Sequence, residues 1–498
     1  MKIKTLETVL ISLLLVGATV DLLIVTPVVY SQGTRKVPTE YPTIQEDVDA
    51  SNPGDIIYVS KGTYVEHLVI TKNGLTLMGE NPNTTIIDGN QTGAVIEDSA
   101  NNVTITGFTI RGSGEGKEGI YLDHSSNNTI VDNIIHNCSI GIRAHSDSSD
   151  KIIGNTIVNN DDSGIILQVN TNNTHINGNN ITNNRYVGIN LFAYADNSTI
   201  NENIVMNNGY SGIQLYLSLG NRVSGNILML NERGIIFVGQ RASYNNISNN
   251  AIAQNEYGID FREIYAPLHN VIYHNDIIGN TYQLQGSSTE NLWNNTANEG
   301  NYWSDYEGED LDSDGIGETN TPHLGVDSYP LDNPTGPIPL LLNGQLCRVT
   351  LRSSSVVSKF YFDQASKEID FKVIGPNGTQ GHCNVTIPKN LLNPLASQSW
   401  VVLLDGVKLE YYIKVENATS TNLYFNYNHT AHDVRIIVEG TSYIIFYVAG
   451  IVAALASVVG VAIAFIRRKQ KRQVAFIERE EKEGVKQSRG RNGIGKLK

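Results

Sequence analysis

The chain contains few residues of the types that cross-link secreted domains or bind soft metal ions. It has three cysteines and four methionines in 498 residues. Three cysteines are too few for a disulfide framework, although Cys347 and Cys383 could pair in an oxidising compartment. Cys138 is expected to be a buried free thiol. Because the sequence has no Cys-x-x-Cys pair and no Met-rich run, its composition argues against copper as a cofactor.

Charged side chains are also scarce, and acidic residues outnumber basic ones. Asp, Glu, Lys and Arg make up 17% of the chain, and the net charge is −14. A nucleic-acid partner requires a concentrated cationic face, so this class of partner is excluded. The abundant Asn, Ser, Thr and Gly are typical of a polar β surface rather than of a helical cytosolic enzyme. A chain of this length is expected to form two or more domains.

Between Gly119 and Ile259, the dipeptide Gly-Ile occurs seven times at intervals of roughly 22 to 24 residues. Each repeat contains three short stretches in which apolar residues alternate with polar ones, as in Asn197 to Gly220. This pattern predicts an all-β fold, a parallel β-helix of about ten rungs over residues 37–290. The pairs are Gly119-Ile120, Gly141-Ile142, Gly164-Ile165, Gly188-Ile189, Gly212-Ile213, Gly234-Ile235 and Gly258-Ile259.

A second series of the same period consists of asparagines. Asparagine tolerates the left-handed backbone region, so we expect these residues to occupy a tight turn on every rung and to stack their amides along the axis. The series is Asn133, Asn155, Asn179, Asn203, Asn226, Asn250 and Asn275.

Further segments flank the repeats. Thr43 followed by Glu46 is a capping-box pattern that predicts a short helix covering the first rung. Residues 291–339 form an acidic, turn-rich closing segment and linker, with Pro334 to Pro339 as the linker itself. Residues 340–440 show seven or eight longer alternating strands, which predict a small β-sandwich.

Both ends of the chain indicate a membrane location. Residues 1–31 are predicted to be a signal peptide or an uncleaved anchor. Residues 443–466 are apolar and long enough for one C-terminal transmembrane helix, and the basic tail at 467–498 is expected to be cytoplasmic. The sequence thus predicts a single-pass cell-membrane protein with an extracellular ectodomain.

About fourteen Asn-x-Ser/Thr sequons lie in the predicted ectodomain and none in the tail. In so Asn-rich a chain, many of these sequons arise by chance. The predicted glycosylation sites are Asn83, Asn102, Asn172, Asn197, Asn246, Asn384 and Asn417.

Several segments closely resemble NosD-like right-handed parallel β-helix proteins of the archaeal surface type. They are Tyr41–Ala50, Gly54–Val59, Gly62–Tyr64, Leu75–Gly79 and Thr85–Gly89, and near the end Gly300–Tyr306 and Asp310–Gly317. The resemblance covers roughly residues 37–332 and implies the fold. It implies less about activity, because the family sits in a wider set of carbohydrate-binding proteins and sugar hydrolases. It also includes a periplasmic protein linked to copper maturation of a reductase.

Two groups of residues are candidate metal ligands. His124, His136, Cys138 and His145 lie on neighbouring rungs and form the nearest approach to a copper site, against the alternative of ordinary solvated histidines. Asp310, Asp312 and Asp314, followed by Gly315, match positions 1, 3, 5 and 6 of a calcium loop.

Position 12 of the acidic loop is Thr321 rather than the bidentate Glu of an EF-hand. A looser oxygen cage is then expected, with a structural role at the last rung, and a solvated acidic loop is the alternative. The residues that could complete the cage are Asp305, Glu318 and Asp327.

The outer face of the Gly-Ile strands is the best candidate for a binding surface. Its residues mix aromatic rings, amides and paired charges, which suits a polysaccharide or another cell-envelope glycan, and a merely solvent-exposed β face is the alternative. The candidate ligand-binding residues are Tyr121, Asp123, Arg143, His145, Asn190, Phe192, Gln214, Tyr216, Asp260 and Arg262.

Catalysis on the same face is the weaker hypothesis. Asp123, Arg143 and His145 could form an acid–base cluster, but glycoside hydrolysis requires two carboxyl groups close together, and no pair recurs. We therefore expect a membrane-anchored glycan-binding protein without catalysis. The alternatives are a polysaccharide lyase or glycoside hydrolase, and an accessory protein for copper maturation.

Overall fold

The computed structural model describes residues 33–262, 267–286, 290–395 and 398–438. The predicted signal or anchor (1–31), membrane span (443–466) and tail (467–498) lie outside these ranges. Within the described ranges, no helix is long and apolar enough to cross a bilayer. The described residues divide into two compact units, the first ending at Ile204 and the second beginning at Val205.

In the first unit, short parallel strands recur in a fixed order and build three sheets. Sheet I contains β1 (Thr34–Val37), β2 (Ile56–Val59), β5 (Thr76–Gly79), β8 (Thr104–Thr106), β11 (Thr129–Val131), β14 (Lys151–Ile153), β17 (His175–Asn177) and β20 (Thr199–Asn201). Sheet II contains β3 (Gly62–Val65), β6 (Thr85–Asp88), β9 (Thr109–Arg111), β12 (Ile134–His136), β15 (Thr156–Val158) and β18 (Asn180–Thr182). Sheet III contains β4 (Leu68–Ile70), β7 (Ile96–Asp98), β10 (Glu118–Asp123), β13 (Ile140–His145), β16 (Ile165–Gln168) and β19 (Val187–Phe192).

The second unit continues the same order of strands. Its sheet I strands are β23 (Arg222–Ser224), β26 (Asn246–Ser248) and β29 (Val271–Tyr273). Its sheet II strands are β24 (Ile227–Met229), β27 (Ala251–Ala253), β30 (Asp276–Ile278) and β32 (Tyr302–Trp303), and β21 (Ile204–Met206) lies at the division between the units. Its sheet III strands are β22 (Ser211–Tyr216), β25 (Arg233–Val238), β28 (Tyr257–Arg262) and β31 (Tyr282–Gln285). The fold is a parallel β-helix of about 11 turns, one more than the repeat predicts.

The Gly-Ile repeat stacks turn on turn, as predicted. Ile120, Ile142 and Ile165 are register partners on successive strands, and all three are buried in the lumen. The glycine is required by close packing rather than by an unusual backbone angle. A Cβ on Gly141 would lie 2.5 Å from the carbonyl oxygen of Gly164 and 2.6 Å from Cγ2 of Ile157. The dipeptide therefore marks the point where consecutive turns approach most closely.

The periodic asparagines stack from turn to turn and form an asparagine ladder, as predicted. Their backbone conformation, however, differs from the prediction. Asn155 is buried, accepts a bond from Asn133 N at 3.0 Å and donates from Nδ2 to Asn179 Oδ1 at 3.1 Å and to Ile130 O at 2.8 Å. The left-handed residue is the one before each ladder position, for example Asp132 with φ 54°. The expectation that the ladder asparagines adopt this conformation is wrong, because their amides saturate buried backbone groups between turns instead.

The predicted capping helix is present as α1 (Ile44–Ala50). Thr43 is its N-cap and accepts a bond from Glu46 N at 3.2 Å. The carboxylate of Glu66 accepts two further free N–H groups of the first turn, from Ile44 at 3.1 Å and Gln45 at 3.0 Å. The helix start is therefore satisfied from two directions.

A β-sandwich of two five-stranded antiparallel sheets follows within the second unit. One sheet contains β33 (Ile338–Leu342), β34 (Gln345–Ser353), β37 (Gln380–Pro388), β40 (Tyr412–Glu416) and β41 (Ser420–Asn428). The other contains β35 (Val356–Asp363), β36 (Glu368–Ile374), β38 (Trp400–Leu404), β39 (Val407–Leu409) and β42 (His432–Val438). Met229, Ala253 and Ile278, from sheet II of the β-helix, belong to the same buried cluster as the sandwich core.

The possible disulfide between Cys347 and Cys383 is not formed. Ser353 is the register partner of Cys383, so Cys347 lies six residues further along β34. At about 3.3 Å per residue this separation is roughly 20 Å, far beyond disulfide reach. Both residues are buried free thiols, and so is Cys138, as predicted.

Candidate functional site

The outer face of sheet III has the register that the sequence predicts. In the first unit, Tyr121, Arg143, Ile166 and Asn190 are successive partners in one column, and Asp123, His145, Gln168 and Phe192 in the next. In the second unit, the corresponding columns are Gln214, Ile236, Asp260 and Tyr216, Val238, Arg262.

Not every side chain on the outer face of sheet III is accessible to solvent. Asn190 and Gln214 are 7% exposed and Asp260 is 3% exposed. These three side chains are therefore buried, contrary to the expectation that they are available to a ligand, whereas Tyr121 and Arg143 of the same column are partly exposed. The second column, which includes Asp123, His145, Phe192, Tyr216 and Arg262, is partly or fully accessible.

Asp123 is the centre of a compact cluster at the end of β10. Its Oδ1 accepts bonds from Tyr121 Oη at 3.0 Å and from the Nδ1 atoms of His124 at 2.7 Å and His145 at 3.0 Å. Desolvation opposes ionisation, but the bonds from His145, His124 and Tyr121 outweigh it and lower the pKa of Asp123. Burial, followed by the bond to Asp123, raises the pKa of Tyr121 to about 12. The cluster therefore presents an ionised carboxylate surrounded by donors.

Arg143 lies beside this cluster but is held by other partners. Its Nε is 2.8 Å from Glu118 Oε1, a charge contact without hydrogen-bond alignment, and its Nη1 donates to Gln168 Oε1 at 2.9 Å. Glu118 is buried, so the predicted group of Asp123, Arg143 and His145 gains no second accessible carboxylate. This geometry does not provide the paired carboxyls of a glycosidase.

The four residues considered as the nearest approach to a copper site do not all lie together. Asp123, His124 and His145 have potential ligand atoms within 4.8 Å of one another. His136 lies on sheet II, and Cys138 is buried with its Sγ 3.5 Å from the carbonyl oxygen of His136. Desolvation raises the pKa of the Cys138 thiol to about 11, which disfavours the thiolate that a soft metal requires.

A groove that the sequence did not reveal runs beside the start of the sheet III strands in the first unit. It has a volume of about 1110 Å³ and crosses the turns between sheets II and III on five successive rungs. At about 4.8 Å per rung, these five levels span roughly 19 Å. It is lined by Gln91, Ser113, Gly114, Glu115, Gly116, Asn137, Ser139, Asn159, Asp161, Asp162, Arg185 and Tyr186.

The groove combines one accessible ring with amides, hydroxyls and charge. Tyr186 is 45% exposed, and Arg185 beside it is also exposed. Three carboxylates, those of Glu115, Asp161 and Asp162, accompany the single guanidinium. The only feature of the sequence that indicates the groove is the series of polar residues in consecutive turns between strands. The sequence alone does not show that these turns form a concave surface.

In the second unit, an arginine between two tyrosine rings explains the burial of Asp260. Arg233 Cζ lies 4.7 Å from the Tyr210 ring centroid and 5.1 Å from that of Tyr257. Its Nε donates to Asp260 Oδ2 at 2.7 Å. Tyr257 also stacks on Tyr282, with centroids 5.1 Å apart. Asp260 therefore neutralises a buried guanidinium and is structural in this arrangement.

The acidic loop in the closing segment is compact. Asp310, Asp312, Asp314 and Glu318 bring one carboxylate oxygen each within 4.8 Å of one another. The other two residues considered for the cage lie elsewhere: Asp305 pairs with His323 at 3.0 Å, and Asp327 accepts the indole N–H of Trp303 at 2.8 Å.

The predicted glycosylation sites differ in accessibility. Asn83, Asn102, Asn197 and Asn417 are exposed, whereas Asn172, Asn246 and Asn384 are partly covered. Asn246 and Asn384 lie within strands β26 and β37. The first four asparagines are therefore the more accessible acceptors.

The repeats of the β-helix are similar to those of known proteins. Residues 92–252 match the family model of the right handed beta helix region. A cell surface glycoprotein of Methanothermus fervidus is 36% identical over 102 residues, which are 20% of this chain and 16% of that relative. The match thus spans less than a fifth of the relative's length.

Several solved structures are similar to part of this chain at low identity. An alginate lyase from Paenibacillus sp. is 14% identical over 52% of this chain and 99% of that one, with a TM-score of 0.39. DFA-IIIase from Arthrobacter chlorophenolicus is 17% identical over 52% and 82%, with a TM-score of 0.40. The A-module of an Azotobacter vinelandii mannuronan C-5 epimerase is 14% identical over 50% and 92%, with a TM-score of 0.36. At these identities and TM-scores, the likeness carries no argument about function.

Proposed function

We propose that the protein is a cell-surface glycan-binding protein and that the groove of the first unit binds the glycan. The carrying observation is an open channel of about 1110 Å³ that follows the β-helix axis over five turns. A linear polymer can occupy such a channel, with Tyr186 offering a ring face and the Asn and Ser side chains offering hydrogen bonds to hydroxyls. The partial match to a cell surface glycoprotein supports the surface location.

The charge of the groove favours one class of glycan. Glu115, Asp161 and Asp162 contribute three carboxylates against the single guanidinium of Arg185. Like charges repel across a short distance, so polyuronates are disfavoured and neutral or amino-sugar polymers are preferred. Residues 443–466 remain the proposed membrane anchor, and Asn83, Asn102, Asn197 and Asn417 the preferred glycosylation sites.

A glycan array with the full-length protein tests the proposal. We expect binding to neutral or amino-sugar polymers. Tyr186→Ala should weaken this binding by about tenfold, or ~1.4 kcal/mol, because the stacking face is lost. Tyr244→Ala is the matched control, since Tyr244 is 63% exposed and lies outside the groove. If no polymer binds, or if both variants weaken binding equally, the groove is not the site.

Adjacent carboxylates in the groove keep hydrolysis as a second candidate. Asp161 and Asp162 both line the channel, whereas the cluster around Asp123 has one accessible carboxylate. Incubation of bound polymers with the protein, followed by size-exclusion analysis, distinguishes the two functions. Chain shortening that Asp161→Asn and Asp162→Asn abolish would establish an enzyme, whereas unchanged chain length together with binding favours a pure binding protein.

A further inference from the structure

We infer that the acidic loop, together with Asp332, forms a calcium site that joins the closing segment of the β-helix to the β-sandwich. The inference goes beyond glycan binding and does not depend on it. All the residues concerned belong to the second unit.

The loop already gathers hard oxygen ligands at metal-binding separation. Asp310, Asp312, Asp314 and Glu318 each place a carboxylate oxygen within 4.8 Å of the others. Ca²⁺ takes six to eight oxygen ligands, and its sites tolerate irregular geometry. Glu318 stands at position 9 of the loop, so the ligand absent at Thr321 is replaced three residues earlier.

Asp332 provides an independent observation that points to a cation. It is 3% exposed, and its Oδ1 has no hydrogen-bond partner. Its carboxyl group lies near that of Asp310, although Asp332 comes from 22 residues further along the chain. A buried carboxylate oxygen without a protein partner is unfavourable, and a cation bound between Asp332 and Asp310 supplies that partner.

Charge around the loop is uncompensated by protein groups. Among the described residues, none of the carboxyls of Asp310, Asp312, Asp314, Glu318 and Asp332 forms an ion pair with Lys, Arg or His. Backbone N–H groups satisfy part of Asp310, from Ser313 at 2.6 Å and Gly315 at 3.0 Å. Neutral donors do not offset five neighbouring carboxyl groups, whereas a divalent cation reduces their mutual repulsion directly.

The backbone around Asp332 shows what an ion at this position would stabilise. Asp332 N donates to Gly315 O at 3.1 Å, and Gly317 N donates to Pro330 O at 2.9 Å, so the loop and the residues before the linker already pair. Asp332 O accepts Val357 N of β35 at 2.8 Å. A cation bound to Asp310 and Asp332 therefore connects the loop to the first strand of one sandwich sheet.

Calcium titration of the chelator-treated full-length protein is the primary test. We expect saturable binding of one Ca²⁺ per chain and at least tenfold weaker binding of Mg²⁺, which demands a stricter octahedral geometry. Asp312→Asn should weaken Ca²⁺ binding at least tenfold. Asp305→Asn is the matched control, because it makes the same charge change five residues before the loop and leaves the five carboxyls intact.

Limited proteolysis supplies a readout that does not depend on affinity. We expect Ca²⁺ to slow cleavage within residues 310–332 at least fivefold in the wild type and in Asp305→Asn, but not in Asp312→Asn or Asp332→Asn. Absence of Ca²⁺ binding by the wild type would overturn the inference, and so would equal binding by Asp312→Asn. Protection that follows acidification but not Ca²⁺ would identify a shared proton instead and would equally overturn it.

Discussion

Asp98, Asp147 and Asp150 are buried carboxylic acids in the first unit, and each has an Oδ2 atom without a hydrogen-bond partner. Desolvation raises their pKa values to about 7, 6 and 8 respectively. Asp150 Oδ1 accepts Asn128 N at 2.8 Å, the same contact that asparagine makes elsewhere between turns. A protonated Asp150 thus resembles the amide that it replaces.

Replacement of Asp150 by asparagine should therefore stabilise the protein at neutral and higher pH. The raised pKa means that the folded state keeps a proton that the unfolded chain loses near pH 4, so stability falls as pH rises from about 4 to 8. Each pH unit in this window costs up to about 1.4 kcal/mol for this group. Urea unfolding measures the difference in the free energy of unfolding between pH 5 and pH 8. This difference should be smaller in Asp150→Asn than in the wild type.

Asp161→Asn is the control for this experiment. Because Asp161 is exposed, its substitution should leave the dependence of stability on pH unchanged. If the wild type and Asp150→Asn lose stability equally between the two pH values, Asp150 is ionised in the folded protein and the interpretation is wrong.

At the scale of the strand and its turn, two kinds of glycine have different tasks. Gly141 is enclosed by the next turn, with Gly164 O 2.5 Å from the position of an added Cβ. Gly178 has a φ of +64° and open space around that position. The first glycine is therefore required by packing, and the second by backbone conformation.

Alanine at these two positions should separate the two requirements. Gly141→Ala should destabilise the protein by about 3 kcal/mol, because the turns must separate to admit the methyl group. Gly178→Ala should destabilise the protein by only about 1 kcal/mol, because alanine is strained in the left-handed backbone conformation. Chemical denaturation of both variants measures the difference, and similar losses would show that Gly141 is not closely packed.

At the scale of the whole molecule, one buried carboxylate holds the linker of the second unit. Asp276 accepts bonds from Thr335 N at 2.6 Å, Thr335 Oγ1 at 3.0 Å and Gly336 N at 2.9 Å. These contacts fix the segment that leads into the sandwich against sheet II. The linker is consequently part of the packed structure rather than a free tether.

Asp276→Ala should expose this linker. Two backbone N–H groups lose their acceptor. Each of them that stays buried lowers the free energy of unfolding by about 1–3 kcal/mol. Hydrogen exchange at Thr335 and Gly336 should accelerate, whereas Asp305→Asn should leave these rates unchanged. Unaltered exchange in Asp276→Ala would indicate that other contacts hold the linker.

Much of the fold could be predicted because it depends on local, periodic information. The spacing of the Gly-Ile pairs sets the register of sheet III, and Thr43 with Glu46 defines the start of α1. The site was less predictable, because it depends on what covers each side chain. Arg233 from one strand buries Asp260 of the next, and alternation along a single strand carries no information about that contact.

Non-local contacts account for the other differences. Asp332 meets Asp310 only because the segment before the linker folds back along the loop. The groove arises from the shape of several successive turns, so Tyr186 and Arg185 gain a role that no motif indicates. The sandwich has ten strands rather than seven or eight, because Ile338–Leu342 pairs with β34 in a segment that includes the predicted linker, and Val407–Leu409 pairs with β38.

The asparagine ladder also has a mechanical consequence. In residues 118–192 the hydrogen bonds between consecutive turns run along the axis of the β-helix. The amides of the asparagine ladder add side-chain hydrogen bonds to those of the backbone. A pulling force along that axis loads the bonds of one turn before those of the next. Each released turn of 22 to 24 residues yields about 80 Å of extended chain. A stack of this kind therefore releases tension in steps of similar length, one turn at a time.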